Sequence, residues 1–276
     1  MTGKVCIVTG ANSGIGYFAA LGLVEMGAEV ALVCRNAERG EEAAEKIEKA
    51  TETKPRLYLA DMGLMDDVRR VADELNTAYP KIHVLLNNAG VLMRHREENA
   101  EGRELTWAIN HLGPFLLTNL LLDHIEAAGP GRIVNVASTA HKSGRINFED
   151  IEAKQKFGMW PVYSQSKLAN ILFTKELARR LDGSKVTANT LHPGVVATNL
   201  FTGAFGFFAP LISLFLISPE VGAYTSVYLA TSPEVSGISG KYFARAAPAP
   251  TTAAARDMDV AARLWQVSEQ MTGLAE

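Results

Sequence analysis

The chain has 276 residues, of which 47% are hydrophobic and 21% charged, with a net charge of −3 and a pI near 6.1. That is enough chain for one sizeable core in a globular protein of ordinary composition, and it offers no basic surface to a nucleic-acid backbone. The two cysteines exclude a disulfide scaffold, and the six histidines never take the spacings of a zinc site, so no metal is expected.

In chain order, the apolar run Val5–Val8 reads as the first strand. It is too short for the hydrophobic region of a signal peptide and ends in a glycine turn, which predicts a cytoplasmic protein without a transmembrane anchor. Helix Ile15–Met26 follows, then strand Glu29–Cys34 and helix Ala37–Ala50, with Asn36 placed to cap it and Glu38 in its first turn. Strand Arg56–Ala60, helix Met65–Ala78, strand His83–Leu86 and a long helix over about Arg103–Ala127 come next. The alternation continues through strand Arg132–Val136, helix Val162–Leu181 and strand Val186–Leu191, and a seventh strand is expected at Lys241–Ala244 with a final helix over about 253–271. Gly27 and Gly183 sit where helix C-terminal caps belong.

Most of these strands are continuously apolar, which suits a parallel sheet covered on both faces. The expected fold is α/β: a Rossmann-type doubly wound parallel sheet of about seven strands with helices on both faces, in a single domain spanning 1–276. Ala244–Ala255, with Pro248 and Pro250, reads as a surface loop. Two stretches break the alternation, the connection Thr139–Pro161 and the apolar, aromatic segment Gly203–Ile217.

Three places carry chemistry. Thr9-Gly10-Ala11-Asn12-Ser13-Gly14-Ile15-Gly16 joins the first strand to the first helix. Gly10 supplies unusual backbone angles, and the bare Gly14 and Gly16 let a diphosphate approach backbone donors at a helix N-terminus. Asn87-Asn88-Ala89-Gly90 closes the fourth strand, where short side chains can line a crevice at the carboxyl edge of the sheet. Ser138 ends the fifth strand, facing the same crevice, and Tyr163 precedes Lys167 by one helical turn. Of the seven tyrosines only Tyr163 has a lysine at that spacing. The ammonium is expected to favour phenolate; bringing a tyrosine from about 10 to neutrality requires about 4 kcal/mol, which one lysine and a second nearby cation can supply.

Taken together with Asn110 and Pro193-Gly194, these motifs resemble the short-chain dehydrogenase/reductase family over nearly the whole chain. Within it, Tyr163-Ser164-Gln165-Ser166-Lys167-Leu168-Ala169-Asn170, Leu191-His192-Pro193-Gly194-Val195-Val196 and the long spacing from Ser138 to Tyr163, with Ala140-His141 near its start, are similar to the retinol dehydrogenase and WW-domain oxidoreductase-like subgroup. The resemblance implies a catalytic group of Asn110, Ser138, Tyr163 and Lys167. Tyr163 would exchange a proton with the alcohol oxygen, Ser138 would hydrogen-bond that oxygen, Lys167 would lower the tyrosine pKa and hold the nicotinamide ribose, and Asn110 would anchor a water in the proton relay. It further implies cofactor contacts from Gly10, Asn12, Ser13, Gly14, Ile15 and Gly16, from Asp61 and Met62, and from Asn87, Ala89 and Gly90. Pro193, Gly194, Val196 and Thr198 would border the nicotinamide. Family members often dimerise through the helices carrying Asn110 and Tyr163, so a homodimer is among the expectations.

An NAD site usually ends its second strand in an acidic residue, but here the strand ends in Cys34-Arg35-Asn36. Arg35, supported by Arg39, suits a 2′-phosphate, so NADP(H) is expected over NAD(H). The segment over about 199–218 holds Phe205, Phe207, Phe208, Leu211 and Phe215; it is too short to span a bilayer and is interrupted by Pro210. It reads as a lid over a hydrophobic alcohol or carbonyl substrate, with core packing and shallow membrane contact as alternatives. The alternative to an enzyme is a non-catalytic dinucleotide-binding sensor or scaffold of the same fold.

Overall fold

The computed structural model describes residues 1–194 and 217–275. Its sheet contains β1 (Val5–Thr9), β2 (Glu29–Cys34), β3 (Arg56–Leu59), β4 (Val84–Asn87), β5 (Arg132–Val136), β6 (Thr187–His192), β7 (Tyr242–Ala244) and β8 (Ala247–Pro248). The order is β3-β2-β1-β4-β5-β6-β7-β8. All neighbours are parallel except β7 and β8, which form a hairpin. The chain therefore winds outward from β1 in one direction, crosses to β4 and winds outward in the other, as expected for a doubly wound sheet.

Helices α1 (Gly14–Glu25), α2 (Ala37–Thr51), α3 (Met65–Ala78), α4 (Leu105–Trp107), α5 (Gly113–Ala127), α6 (Met159–Arg180), α7 (Pro219–Thr231) and α8 (Met258–Thr272) cover the two faces. Alternation along the strands divides the core. Ile7, Leu85 and Ile133 pack with residues of α3, α5 and α6, whereas Cys6, Val8, Leu86 and Val134 pack with residues of α1, α2 and α7. Cys6 and Cys34 are free and buried, and burial pushes their thiols up to about 12 and about 11, which leaves them inert.

Local chemistry sets the boundaries. The Asn36 side chain accepts a hydrogen bond from the Arg39 N–H and so caps α2. Gly27, at φ +82°, ends α1 with bonds from Gly27 N–H to the Val24 carbonyl and from Ala28 N–H to the Leu23 carbonyl. The long helix expected over 103–127 is interrupted by a π-helical turn at Ala108–Leu112. Pro114 explains the interruption, because it has no N–H to close an α-helical bond onto the Asn110 carbonyl. Gly113 lies so close to the preceding loop that a Cβ there would meet the Met62 carbonyl oxygen at 2.1 Å.

Two elements depart from the sequence reading. Helix α7 was not expected: its buried positions are mainly small residues, Gly222, Ala223, Thr225, Ser226 and Ala230 with Leu229. They give no strong apolar stripe, but they permit close approach to α1, where a Cβ on Gly22 would lie 3.4 Å from Val227. The stretch Ala244–Ala255, read as loop, includes β8, which is joined to β7 by Arg245 and Ala246 at φ +53° and +56°. A two-residue exposed edge strand containing Pro248 has little sequence signal of its own. Among the described residues no helix is long and apolar enough to cross a membrane.

The last helix closes the groove between α5 and α6. The Trp265 ring packs on Phe115 and Phe173 at 5.0 and 5.8 Å between centroids, the Arg180 guanidinium lies 4.1 Å over the indole, and Ser268 Oγ is 2.8 Å from His111 Nε2. Helix α8 of the same chain thus packs on part of the helices expected to support a homodimer. Trp265→Ala is expected to destabilise the fold by about 3–5 kcal/mol, measured by urea unfolding. A loss below about 1 kcal/mol would show that α8 is peripheral to the core.

Candidate active site

A cavity of about 1120 Å³ opens at the carboxyl edge of the sheet, where the strand order reverses between β1 and β4. One wall is the glycine turn: Gly10, Asn12, Ser13, Gly14, Ile15 and Gly16 all line it. Gly10 and Gly14 have φ of +65° and +55°. A Cβ at Gly16 would fall 2.3 Å from the Gly10 carbonyl oxygen and 2.4 Å from Asn88 Nδ2, so helix α1 begins hard against the turn. Ser13 occupies the N-cap position without a side-chain capping bond, and the first turn of α1 has no acidic residue. By contrast α2, α7 and α8 each have both a side-chain cap and an acidic residue in the first turn. The N-terminus of α1 therefore presents backbone donors without a competing carboxylate, which fits a dinucleotide diphosphate.

Asn88, which the sequence reading did not single out, holds this wall in place. Its Nδ2 donates to the carbonyls of Thr9 and Gly10 at 2.9 and 3.2 Å. In return Thr9 Oγ1 accepts from the backbone N–H of Asn88 and Ala89, each at 3.0 Å. Ala89 and Gly90 line the cavity as expected. The side chain of Asn87 does not: it is buried and donates to Thr118 Oγ1 at 2.9 Å and Asn135 Oδ1 at 2.8 Å. This corrects the expectation for Asn87, because successive residues of a strand point to opposite sides and only the second asparagine reaches the turn.

At the other end Arg35, Arg39, Asp61 and Met62 line the cavity. Arg35 Nη1 is 3.5 Å from Asp61 Oδ2, and the arginine side chain is 67% exposed, so the pair is loose and the guanidinium is available to a ligand. Asp61 is itself fixed: its Oδ1 accepts from Gly63 N–H at 2.8 Å, and its own N–H donates to Asp67. Asn36, expected beside Arg35 among the cofactor contacts as well as at the helix cap, caps α2 and is not among the residues lining the cavity. Pro193 and Gly194 line the middle of the cavity, Gly194 at φ +96°. Val196, Thr198 and nearly all of the expected lid at about 199–218 lie outside the described residues.

Ser138, Tyr163 and Lys167 converge on the same space. Ser138 follows β5 and caps a short 3₁₀ turn, Thr139–Ser143, with its Oγ accepting from Ala140 N–H at 3.2 Å. Tyr163 and Lys167 are stacked one turn apart on α6, with Lys167 Nζ 5.6 Å from the centre of the phenol ring. Nζ also donates to the Val136 carbonyl at 3.1 Å. Asn110 lies one layer behind, in the π-helical turn. Its Oδ1 accepts from Val91 N–H at 2.7 Å, while its Nδ2 donates to the Val91 carbonyl at 2.9 Å and to Ser166 Oγ at 3.0 Å. Between these layers sits Gly90, where a Cβ would be 3.3 Å from both Asn110 Oδ1 and Lys167 Nζ.

The electrostatics of the chain alone fall short of the expected phenolate, which called on a second cation besides Lys167. Burial pushes Tyr163 up to about 12, with the Ser138 hydrogen bond pulling the other way, and burial pushes Lys167 down to about 8. In the site built by the chain alone, desolvation outweighs the lysine charge and the proton stays on the phenol. Sequence reasoning also assigned no role to several residues that line the cavity. Leu92, Met93 and Trp160 add apolar lining, and Ser143, Ser164 and His192 polar lining. Trp160 was legible only as a residue three positions before the tyrosine on the same helix; its ring meets that of Tyr163 at 6.2 Å and 79°.

A glycine turn at the switch point of a parallel sheet, with a Ser, Tyr and Lys group facing the same cavity, defines a dinucleotide-binding oxidoreductase architecture. A sequence model of the short chain dehydrogenase family matches residues 4–205, and the chain belongs to that family, whose members bind a nicotinamide dinucleotide. It is 42% identical to human retinol dehydrogenase 14 over 99% of this chain and 88% of that one. Human retinol dehydrogenase 13 is likewise 42% identical, over 99% and 85%. Among solved structures, an uncharacterized protein from Mycobacterium paratuberculosis shares 34% identity and a TM-score of 0.82, over 99% of this chain and 94% of that one.

Gly16→Ala tests the cradle directly. The added methyl cannot fit beside the Gly10 carbonyl, so α1 must shift and dinucleotide affinity should fall at least about tenfold, read by quenching of protein fluorescence. Unchanged affinity in a folded variant would refute the assignment of this turn.

Proposed function

We propose that the protein is an NADP(H)-dependent oxidoreductase that interconverts a hydrophobic alcohol and its carbonyl compound through Asn110, Ser138, Tyr163 and Lys167. The observation that carries this reading is the convergence of Ser138, Tyr163 and Lys167 on the cavity that also contains the uncapped α1 N-terminus. When bound, the nicotinamide supplies or takes up the hydride.

The chain's own groups supply the rest. The phenol of Tyr163 gives its proton to the carbonyl oxygen in the reducing direction and removes it from the alcohol in the other. The Ser138 hydroxyl holds that oxygen against the phenol. Lys167 places a positive charge beneath the tyrosine ring and offers a donor to the nicotinamide ribose. Asn110 organises the route by which the proton is replaced, and its bonds to Val91 and Ser166 tie the crevice loop to α6. Burial of Tyr163 keeps water from competing for the same oxygen.

The cofactor preference rests on Arg35 and Arg39, both at the cavity wall, and on the lack of a carboxylate at the end of β2. A guanidinium matches a 2′-phosphate through charge-assisted hydrogen bonds. The substrate class rests on Trp160 against the phenol ring, on Leu92 and Met93 in the lining of the same cavity, and on the apolar sequence of the segment following Gly194. That segment is proposed as the lid.

A panel of carbonyl compounds and alcohols, run with NADPH and NADH, tests the activity. Tyr163→Phe should lower kcat by about 10²-fold or more while leaving the NADPH dissociation constant nearly unchanged. Activity within about tenfold of wild type would assign the proton transfer to another group. Arg35→Asp replaces attraction with repulsion and supplies an acceptor for a ribose hydroxyl. Preference for NADPH over NADH should then drop by at least about tenfold, since a charge-assisted bond is worth about 1.5–3 kcal/mol. Specificity constants at two ionic strengths check this; a wild type that prefers NADH would overturn the cofactor assignment.

A further inference from the structure

The sheet stops holding the chain just where the reactive serine begins. The last ladder bond of β5 to β6 runs from Ala137 N–H to the Leu191 carbonyl at 2.8 Å, so Ser138 lies one residue beyond the sheet. Its carbonyl is instead held twice by one residue. His141 donates from its backbone N–H at 3.2 Å and approaches with its ring Nδ1 at 2.6 Å. A carbonyl oxygen can only accept, so Nδ1 carries the proton and Nε2 is left with a bare lone pair.

That second nitrogen makes the arrangement informative. His141 is fully buried, and its Nε2 has no hydrogen-bond partner among the described residues. The ring rests edge-on against Tyr242 of β7, 5.0 Å between centroids and inclined at 63°. A phenylalanine or leucine would fill this space without stranding a polar atom, and buried polar groups are ordinarily paired. The one polar bond the ring does make is to Ser138.

We propose that His141 is a positioning residue for the Ser138–Tyr163 pair: its Nδ1–H clamps the Ser138 carbonyl and keeps the serine hydroxyl turned toward the phenol. This rests on the proposed alcohol–carbonyl chemistry. The coupling is geometric. With the carbonyl fixed, the first peptide of the 3₁₀ turn is fixed, and Ala140 N–H points back at Ser138 Oγ. The oxygen then has one donor assigned from behind, and its own hydrogen is left for the phenol, the contact that pulls the Tyr163 pKa downward. Without the ring, the turn depends on backbone bonds of 3.2 and 3.0 Å, from His141 N–H to Ser138 and from Gly144 N–H to His141.

Three substitutions separate the donor from the bulk. In His141→Asn the amide nitrogen replaces Nδ1, in His141→Gln it replaces Nε2, and His141→Leu keeps only volume. The Gln and Leu variants should lose roughly ten- to a hundredfold in kcat, with KM for NADPH within about twofold of wild type, whereas Asn should recover most of kcat. Asn as impaired as Gln would overturn the proposal, as would a Leu variant with wild-type kcat. If Leu does not fold, the contrast between Asn and Gln decides. Crystal structures of the Asn and Gln variants provide an arm independent of turnover: Ser138 Oγ should face Tyr163 in the first and rotate away in the second. A wild-type enzyme inert toward the whole substrate panel would refute the proposed reaction, while the serine rotamer would still decide the role of His141.

Discussion

Where a parallel sheet reverses its winding, the loops leaving two adjacent strands diverge to opposite faces and leave a gap at the carboxyl edge. Here the gap is spanned by the reciprocal bonds between Thr9 and Asn88, with Thr9 Oγ1 accepting two backbone N–H groups and Asn88 Nδ2 donating to two carbonyls. At about 0.5–1.5 kcal/mol each, these four bonds contribute a few kcal/mol. Their larger effect is on shape, since they fix the glycine turn on one side and Ala89-Gly90 on the other. Asn110 extends the same frame from Val91 to Ser166, and Ser166 Oγ donates to the Tyr163 carbonyl at 2.8 Å. A continuous set of short polar contacts thus runs from the end of β1 to the tyrosine helix.

Within that frame two charges compete with burial. The phenol of Tyr163 rises from an ordinary 10 to about 12, a penalty of about 3 kcal/mol on the phenolate. A single positive charge about 5 Å away, at an effective dielectric constant of about 20, returns about 3 kcal/mol. Burial and one well-placed cation are therefore of equal size and opposite sign. Lys167 Nζ lies 5.6 Å from the ring centre and is bonded to the Val136 carbonyl, and its own charge is opposed by burial. A second positive charge of comparable size beside the phenol would be needed to bring it toward neutrality.

Much of this was legible in the sequence because strong local signals agreed with the final packing. The strands β1, β2 and β5 are mostly apolar runs rich in valine and isoleucine, and the order of glycine turn, Asn-Asn-Ala-Gly, serine and Tyr-x-x-x-Lys placed the site at one edge of the sheet. What was missed depended on partners far away in the chain. Helix α7 has small residues whose value lies in how closely α1 can approach, although Ser218 and Pro219 were present as a capping serine and a first-turn proline. The π-helical turn had its signal in Gly113-Pro114. The asparagines at 87 and 88 look alike in sequence, and only the pleat of β4 decides that one enters the core and the other reaches the turn. His141 was legible with Ala140 as a mark of the subgroup, but its contact was not, because its partner is a backbone carbonyl and any residue has one.

The packing of α8 has a consequence for how the protein behaves with concentration. In the resemblance that the sequence suggested, the helices bearing the catalytic asparagine and tyrosine are steadied by a second subunit. Here Trp265, Arg180 and Ser268 supply that support from within the same chain. The π-helical turn that holds Asn110 is thereby braced by a covalently tethered helix, whose local concentration does not change on dilution. The support that α8 gives to the turn under Asn110 therefore needs no association equilibrium, and the order of that turn should persist down to the scarcest amounts of protein.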